Sequence, residues 1–275
     1  MQDAQPSRTA QRVATRRAAH QLFDEPKVFD DPLAIAIAGR DAAGESASSA
    51  LRAFIAVRSR YAEDQLARAV LQRGVRQYVV LGAGLDTFAY RNPLRSSGLH
   101  VFEVDHPATQ AWKRARLSEA NIPIPAEMTF AAVDFETQSL DARLREAGFL
   151  RTASAFFSWL GVTPYLSRPA FDATIQFIAG MPAGSGLVFD FAMERSLLSP
   201  LQQHALDVLA ERVARAGEPF QLFFDPAMLQ SDLAQLGFGS IEDLDGAQIN
   251  ARYFAGRSDG LAVANGGHLL SCQVS

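Results

Sequence analysis

The 275-residue sequence has few cysteines, few lysines and no long apolar run, and each of these shortages argues against a class of protein. It contains one cysteine, Cys272, so it cannot form an internal disulfide, which is typical of proteins from a reducing compartment. It also has no apolar run near the ~20 residues that a membrane-spanning helix needs. We therefore expect a cytoplasmic protein with no membrane partner.

Cationic residues are also limited, because Lys27 and Lys113 are the only lysines and the net charge is −4. Nucleic-acid binding depends on many phosphate contacts from basic side chains, and no strongly basic segment is present, so we expect no nucleic-acid partner. No cluster of Cys, His and acidic residues has metal-ligand spacing, so we expect no metal. The oligomeric state stays open.

Short apolar runs alternate with helical patterns from residue 74 onward. Strands that alternate with helices predict an α/β fold, with a mostly parallel sheet and helices on both faces. We predict seven strands, of which the last is an antiparallel strand at the end of the sheet. The predicted strands lie at residues 77–81, 99–104, 128–133, 154–160, 186–192, 239–244 and 268–274.

A single domain over residues 1–275 accounts for this pattern. Helical segments precede the first strand, and a long helix predicted over 195–216 opens a helical insert before strand six. The predicted parts are an N-terminal helical cover (1–72), a cofactor-binding core (75–192), a helical insert or lid (193–236) and C-terminal strands (237–275).

The sharpest feature is the paired-glycine turn Gly82-Ala83-Gly84, which directly follows the first predicted strand. Gly82 permits backbone angles that other residues resist, and Gly84 lets a ligand approach the main chain closely. Open α/β sheets bind ligands in the crevice beyond their strand ends. The turn is therefore the predicted cofactor site, although an ordinary turn can have the same glycine spacing.

Acidic residues end the next two predicted strands. Glu103 follows the glycines by about 20 residues, the spacing at which a carboxylate reaches a ribose hydroxyl pair. We interpret its neighbour Asp105 as the N-cap of a helix that begins at Pro107. Asp134, at the end of the third strand, could accept a hydrogen bond from an adenine amino group. The pattern predicts a cofactor that contains adenosine.

Asp86 favours S-adenosyl-methionine over a dinucleotide. A dinucleotide-binding turn carries a third glycine, which lets a helix N-terminus approach the pyrophosphate. Asp86 follows the turn here instead, and its carboxylate would repel a pyrophosphate. S-adenosyl-methionine has no phosphate, and its sulfonium and ammonium groups tolerate a nearby acid. A cap in the first turn of a helix is the alternative role for Asp86.

Four blocks of the sequence resemble the leucine carboxyl methyltransferase family, including its bacterial members. The most specific are QYVVLGAGLDTFAYR at residues 77–91 and FEVDHP at residues 102–107. RSRY at residues 58–61 and VTPYL at residues 162–166 resemble two further blocks. The resemblance implies a Rossmann-like class I methyltransferase sheet of seven strands and S-adenosyl-L-methionine as the cofactor.

The same resemblance implies roles for individual residues. Arg58 is expected to hold the carboxylate of the cofactor, with Arg17 assisting. A guanidinium also suits a carboxylate on physical grounds, because its parallel N–H donors match the two oxygens; a solvated helix face is the alternative for both arginines. The other expected contacts are Gly82 under the methionine part, Glu103 on the ribose, and Asp134 with Phe135 around the adenine.

At one position the chain departs from the family pattern. Family members commonly carry a glutamate where this sequence has Leu160. The departure argues against transferring the substrate of the protein-phosphatase member, and it indicates a different acceptor pocket with Trp159 and Tyr165 as candidate walls. Ordinary core packing is the alternative for both aromatic side chains.

The expected chemistry is methyl transfer, by in-line displacement, to an oxygen of a small acidic molecule. A carboxylate acceptor is already ionised at neutral pH and needs no general base. The histidines sit in no recognisable catalytic motif, and no residue is assigned a catalytic role. Two alternatives stay open: an NAD-dependent oxidoreductase on a related fold, and a catalytically silent cofactor-binding protein.

Overall fold

A computed structural model describes residues 7–39, 48–215 and 217–275. Its strands are β1 (Gln77–Leu81), β2 (His100–Asp105), β3 (Met128–Ala132), β4 (Ala155–Trp159), β5 (Gly186–Ala192), β6 (Phe238–Leu244) and β7 (Gly267–Val274). Within the described residues they form one seven-stranded sheet in the order β3-β2-β1-β4-β5-β7-β6. The α/β fold class and the mostly parallel sheet are therefore confirmed.

The antiparallel strand β7 does not lie where the sequence analysis predicted it. It pairs antiparallel with both β5 and β6, so it lies inside the sheet and β6 forms the edge. The prediction of an antiparallel strand at the end of the sheet was therefore wrong. Strand order depends on pairing between segments that are distant in the chain, and the apolar pattern of a single strand does not contain that information.

Helices cover both faces of the sheet. They are α1 (Arg8–Phe23), α2 (Ala34–Ala38), α3 (Ser49–Arg73), α4 (Phe88–Arg91), α5 (Pro107–Glu119), α6 (Leu140–Glu146), α7 (Arg168–Ala179), α8 (Pro200–Arg215), α9 (Pro226–Gln235) and α10 (Gly246–Tyr253). No helix in the described ranges has the length and hydropathy to cross a bilayer.

Local sequence signals explain several helix bounds. The helix predicted over residues 195–216 begins instead at Pro200, after a short 3-10 turn, because proline is favoured in the first turn. The helices α4 and α10 were missed. Asp245 and Gln248 form a capping box at the start of α10, a sequence signal that could have indicated this helix.

The central strand β1 places alternate side chains in two apolar layers. Val79 and Leu81 pack with Phe157 and the helices of one face. Val80 lies on the other face, in the cluster that contains Tyr61 of α3. A parallel strand that is covered by helices on both sides buries both of its faces, which explains why Tyr78 to Leu81 show no alternation of apolar and polar residues.

Buried His20 anchors the C-terminal end of α1. Its Nε2 accepts hydrogen bonds from the backbone N–H groups of Val28 and Phe29, both 3.2 Å long. The ring proton therefore lies on Nδ1, which is 2.8 Å from the Asp24 carboxylate. Burial is the largest influence on the ring and lowers the pKa of His20 below 6.5, although Asp24 opposes this change.

The neutral His20 predicts a pH-dependent stability of the fold. As the pH falls below 6.5, the unfolded chain takes up a proton that the folded histidine resists, so the free energy of unfolding decreases. Between about pH 7.5 and about pH 5.5 we expect this histidine to contribute a loss of at most about 1.4 kcal/mol per pH unit. Urea unfolding at both pH values measures it.

The test variant is His20→Gln, and the matched control is His204→Gln, at an exposed histidine of α8. His20→Gln is less stable at the higher pH, because it loses the ring contacts, but its unfolding free energy depends less on pH than that of the wild type. His204→Gln keeps the wild-type pH dependence. An equal pH dependence in all three proteins contradicts the role of His20.

Candidate functional site

The turn after β1 requires bare glycines at two positions. Gly82 and Gly84 have φ angles of +67° and +46°, in the left-handed region that favours glycine. A Cβ on Gly82 would lie 2.3 Å from Cγ2 of Val162. A Cβ on Gly84 would lie 3.2 Å from Cβ of Ala10, so α1 packs directly on the turn. The glycines thus allow two other segments to approach the main chain.

Three backbone N–H groups of residues 83–86 bond to the protein itself. The Ala83 N–H donates to the Val104 carbonyl at 2.9 Å, and the Asp86 N–H donates to the Ala83 carbonyl at 2.7 Å. The Gly84 N–H donates to Oδ2 of Asp105 at 2.6 Å. A phosphate-binding turn must instead direct its N–H groups at the ligand. The geometry therefore argues against a pyrophosphate at this position.

A cavity of about 290 Å³ lies beyond the carboxyl ends of β1, β2 and β4. This is the edge at which open α/β sheets bind ligands. It is bounded by α1, the glycine turn, the ends of these strands, and residues 217–221. The sequence-predicted residues that line it are Arg17, Arg58, Gly82, Gly84, Asp134, Phe135 and Tyr165.

Glu103 does not line the cavity. It pairs with Val80 and Phe130 within the sheet, two residues before the strand ends, and it is 1% exposed. Its Oε2 lies 2.6 Å from Nζ of Lys113 and accepts a hydrogen bond from the Tyr90 hydroxyl. Burial raises the pKa of Glu103 to about 7, against the opposing effect of Lys113. The structure therefore assigns Glu103 to the core beneath α5.

Asp105 lines the cavity instead, at the last position of β2. It is not the N-cap of α5, because the side chain of His106 fills that role. Its two carboxylate oxygens accept hydrogen bonds from the N–H groups of Gly84 and His106. Burial raises the pKa of Asp105, while these two N–H groups act in the opposite direction. The available signal was its position as the final residue of the strand.

Trp159 also lies outside the cavity lining. It is fully buried and stacks on Phe171, with ring centroids 5.5 Å apart and an interplanar angle of 7°. Packing in the core, the alternative given for this residue, is what the structure shows. Tyr165 does line the cavity and contacts the ring of Phe220, and burial raises the pKa of its hydroxyl to about 12. Leu160 is a further lining residue.

Arg17 and Arg58 enter the cavity already paired with buried carboxylates. Arg17 Nη2 lies 2.6 Å from Asp31 Oδ2, and its other N–H groups reach the Thr87 hydroxyl and the Leu85 carbonyl. Arg58 Nη1 lies 3.1 Å from Asp190 Oδ2. Neither arginine therefore lies on a solvated helix face, which was the alternative.

The remaining charged side chains of the lining are mostly acidic: Asp86, Asp105, Asp134, Glu136 and Glu218. Both lining arginines have carboxylate partners outside the lining, Asp31 and Asp190, and Asp86 lies 3.9 Å from Arg17 Nη1 as well. Five acids and two arginines therefore give the cavity a negative potential. A ligand with a net positive charge is favoured over one that carries several phosphates.

One end of the cavity is closed by a contact between α1 and residues 217–221. Glu218 accepts hydrogen bonds from the backbone N–H and the hydroxyl of Thr9. Gln221 lies beside Tyr165, whose carbonyl accepts a hydrogen bond from the Gln221 amide. Thr9, Glu218 and Gln221 were not predicted as site residues, because they meet only in the folded chain. Among the described residues, no group of three or more His, Cys, Asp or Glu could hold a metal ion.

Comparison with known proteins relates the chain to one family. The family model for leucine carboxyl methyltransferase matches residues 10–179. The Bacillus subtilis (strain 168) protein named "Putative S-adenosyl-L-methionine-dependent methyltransferase YktD" is 38% identical over 192 residues, which are 69% of this chain and 62% of that protein. This match spans less than two thirds of the length of the Bacillus relative.

A Mycobacteroides abscessus protein named "Putative S-adenosyl-L-methionine-dependent methyltransferase" is 32% identical over 236 residues, 81% of this chain and 77% of that protein. A crystal structure described as "a putative methyltransferase from Thermobifida fusca YX" matches with a TM-score of 0.60 at 17% identity, covering 98% of this chain and 96% of that one. At this identity the likeness concerns the fold alone, which is the class I methyltransferase fold.

The burial of Glu103 predicts that Lys113 matters for stability. Removal of one partner of a buried ion pair leaves the other charge uncompensated. We expect Lys113→Met to lower the free energy of unfolding by about 3 kcal/mol. Urea denaturation measures this change. The double variant Glu103→Gln with Lys113→Met should recover most of the loss, and a double variant no more stable than Lys113→Met contradicts the pairing.

Proposed function

Because the chain belongs to the leucine carboxyl methyltransferase family, we propose that it is an S-adenosyl-methionine-dependent methyltransferase that methylates an oxygen of a small acidic molecule. The glycine turn is the observation that supports S-adenosyl-methionine as the cofactor. Three N–H groups of residues 83–86 bond to the chain itself, and that of Gly84 holds the Asp105 carboxylate at the cavity. This arrangement suits an adenosine that carries no phosphate.

The lining residues fit the parts of that cofactor. Asp105 would hold the ribose hydroxyls, because each carboxylate oxygen has a lone pair left after its bond to a backbone N–H. Asp134 and Phe135 would adjoin the adenine, and Arg58 with Arg17 would hold the carboxylate. Asp105 would thus take the role that was predicted for Glu103 from the sequence.

The acids of the lining match the charge of this cofactor. S-adenosyl-methionine carries a sulfonium, an ammonium and one carboxylate, so its net charge is positive. Asp86 and Glu136 would therefore attract it, whereas they would repel the pyrophosphate of NAD. This is the physical reason to prefer a methyltransferase over an NAD-dependent oxidoreductase.

When bound, the cofactor supplies an electrophilic methyl group for an in-line displacement. The chain's own contribution would be positioning and exclusion of water. Ala10, Val13 and Ala14 present an apolar face of α1 to the cavity, and Val162 and Leu166 line it as well. A carboxylate acceptor needs no general base, since it is ionised at neutral pH.

A hydroxyl acceptor is the second candidate, and Glu218 is the observation that favours it. Glu218 lies in the lining at the end closed by Thr9 and could take a proton from a hydroxyl group. The same carboxylate would repel an anionic acceptor that approached it closely. The two candidates therefore differ in whether Glu218 takes part.

Cofactor binding is tested by titration calorimetry with S-adenosyl-homocysteine and with NAD. We expect binding of the first and none of the second. Asp105→Ala should weaken the binding of S-adenosyl-homocysteine by about 10- to 100-fold, the usual cost of a charge-assisted hydrogen bond. Asp172→Asn, which alters a partly exposed carboxylate of α7 that pairs with Arg168 outside the cavity, serves as the control. Binding of NAD in place of S-adenosyl-homocysteine overturns the proposal.

The acceptor is tested with methyl-labelled cofactor and two panels, one of carboxylic acids and one of alcohols and phenols. We expect the label in a product that releases methanol in mild base, as a methyl ester does. Label in a base-stable ether supports the hydroxyl candidate instead. Tight cofactor binding with no transfer to either panel would support the catalytically silent alternative.

A further inference from the structure

A buried carboxylate lies next to the cavity, in contact with a lining residue, but does not line the cavity itself. Asp190 lies within β5, between Phe189 and Phe191, and is 5% exposed. Oδ2 of Asp190 lies 3.1 Å from Arg58 Nη1, and Oδ1 accepts a hydrogen bond from the Gly161 N–H. Arg58, which does line the cavity, therefore shares one carboxylate with the backbone that follows β4.

Gly161 leaves the space in which the Arg58 guanidinium lies. Its φ angle is +70°, and a Cβ at this position would lie 2.6 Å from Nη2 and 2.7 Å from Nη1 of Arg58. Any side chain there would displace the guanidinium. Three segments thus fix Arg58: α3 carries it, the turn after β4 leaves the space, and Asp190 of β5 bonds to one of its nitrogens.

We propose that Asp190 is a positioning residue. It orients the Arg58 guanidinium so that the remaining N–H donors of Arg58 are presented to the cavity in a fixed geometry. This inference rests on the proposed function, in which Arg58 holds the carboxylate of the cofactor. A free arginine side chain loses rotamer freedom when it binds a ligand. An arginine that is already held loses less, so the ligand binds more tightly.

Because Asp190 is negatively charged, the sign of the affinity change in Asp190→Asn tests the proposal. Its negative charge reduces the bare attraction between Arg58 and an anionic ligand. If only charge mattered, removing it would strengthen the binding of a ligand carboxylate. If orientation dominates, as we propose, Asp190→Asn weakens that binding. The two effects have opposite signs, so a single affinity measurement separates them.

The experiment compares two ligands in titration calorimetry. S-adenosyl-homocysteine contains the amino-acid carboxylate, whereas 5′-methylthioadenosine contains the same adenosine without it. We expect Asp190→Asn to weaken the binding of S-adenosyl-homocysteine by about tenfold or more, as for loss of a charge-assisted hydrogen bond, and to leave the affinity for 5′-methylthioadenosine unchanged. Gly161→Ala, which displaces the guanidinium but keeps both charges, should show the same selectivity.

Two controls separate positioning from a purely structural role. Asp243→Asn removes an equally buried carboxylate, paired with His268 on the β6–β7 side of the sheet, and should change neither affinity. In the double variant Arg58→Gln with Asp190→Asn, binding should equal that of Arg58→Gln alone, because Asp190 acts through Arg58. Thermal unfolding without ligand shows that each variant is folded.

The outcomes distinguish the two proposals. The positioning role is overturned if folded Asp190→Asn loses affinity for both ligands equally, or if it binds S-adenosyl-homocysteine more tightly. The proposed function stands in either case. Failure of the wild type to bind either adenosine ligand overturns the proposed function itself.

Discussion

The hydrogen bond from the Gly84 N–H to the Asp105 carboxylate, 2.6 Å long, is the constraint on which the cavity depends. It joins the turn after β1 to the last residue of β2. The same contact removes a donor that a phosphate would need and holds a carboxylate at the cavity. Because Gly84 has no side chain, Ala10 of α1 can lie against the turn and border the cavity.

Buried ion pairs determine the charge that a ligand meets. An arginine that is removed from water needs a compensating carboxylate. Arg17 has Asp31 and Arg58 has Asp190, so neither arginine makes the cavity positive. The acids of the lining then set its potential, which suits a cationic cofactor better than a dinucleotide. One of these acids, Glu218, lies at the end closed by α1 and accepts a hydrogen bond from the Thr9 N–H.

Glu103 and Asp105 show where sequence reasoning reached its limit. Both are acidic, both belong to the end of β2, and both fit the spacing expected of a ribose-binding carboxylate. Only the register places Glu103 opposite Val80, inside the sheet, with Lys113 of the following helix as its partner. Trp159 illustrates the same limit, since an aromatic residue at a strand end can face either the core or a cavity.

The residue pattern was sufficient to predict the seven strands, the glycine turn and the start of α5 at Pro107. These features depend on periodicity and backbone preference, which act between neighbours in the chain. Three further features became known only from the folded chain: the place of β7 in the sheet, the pairing of Arg58 with Asp190 across 132 residues, and the contact of Thr9 with Glu218 across 209 residues. Such contacts arise when distant segments pack together, and no local pattern encodes which carboxylate a given arginine will meet.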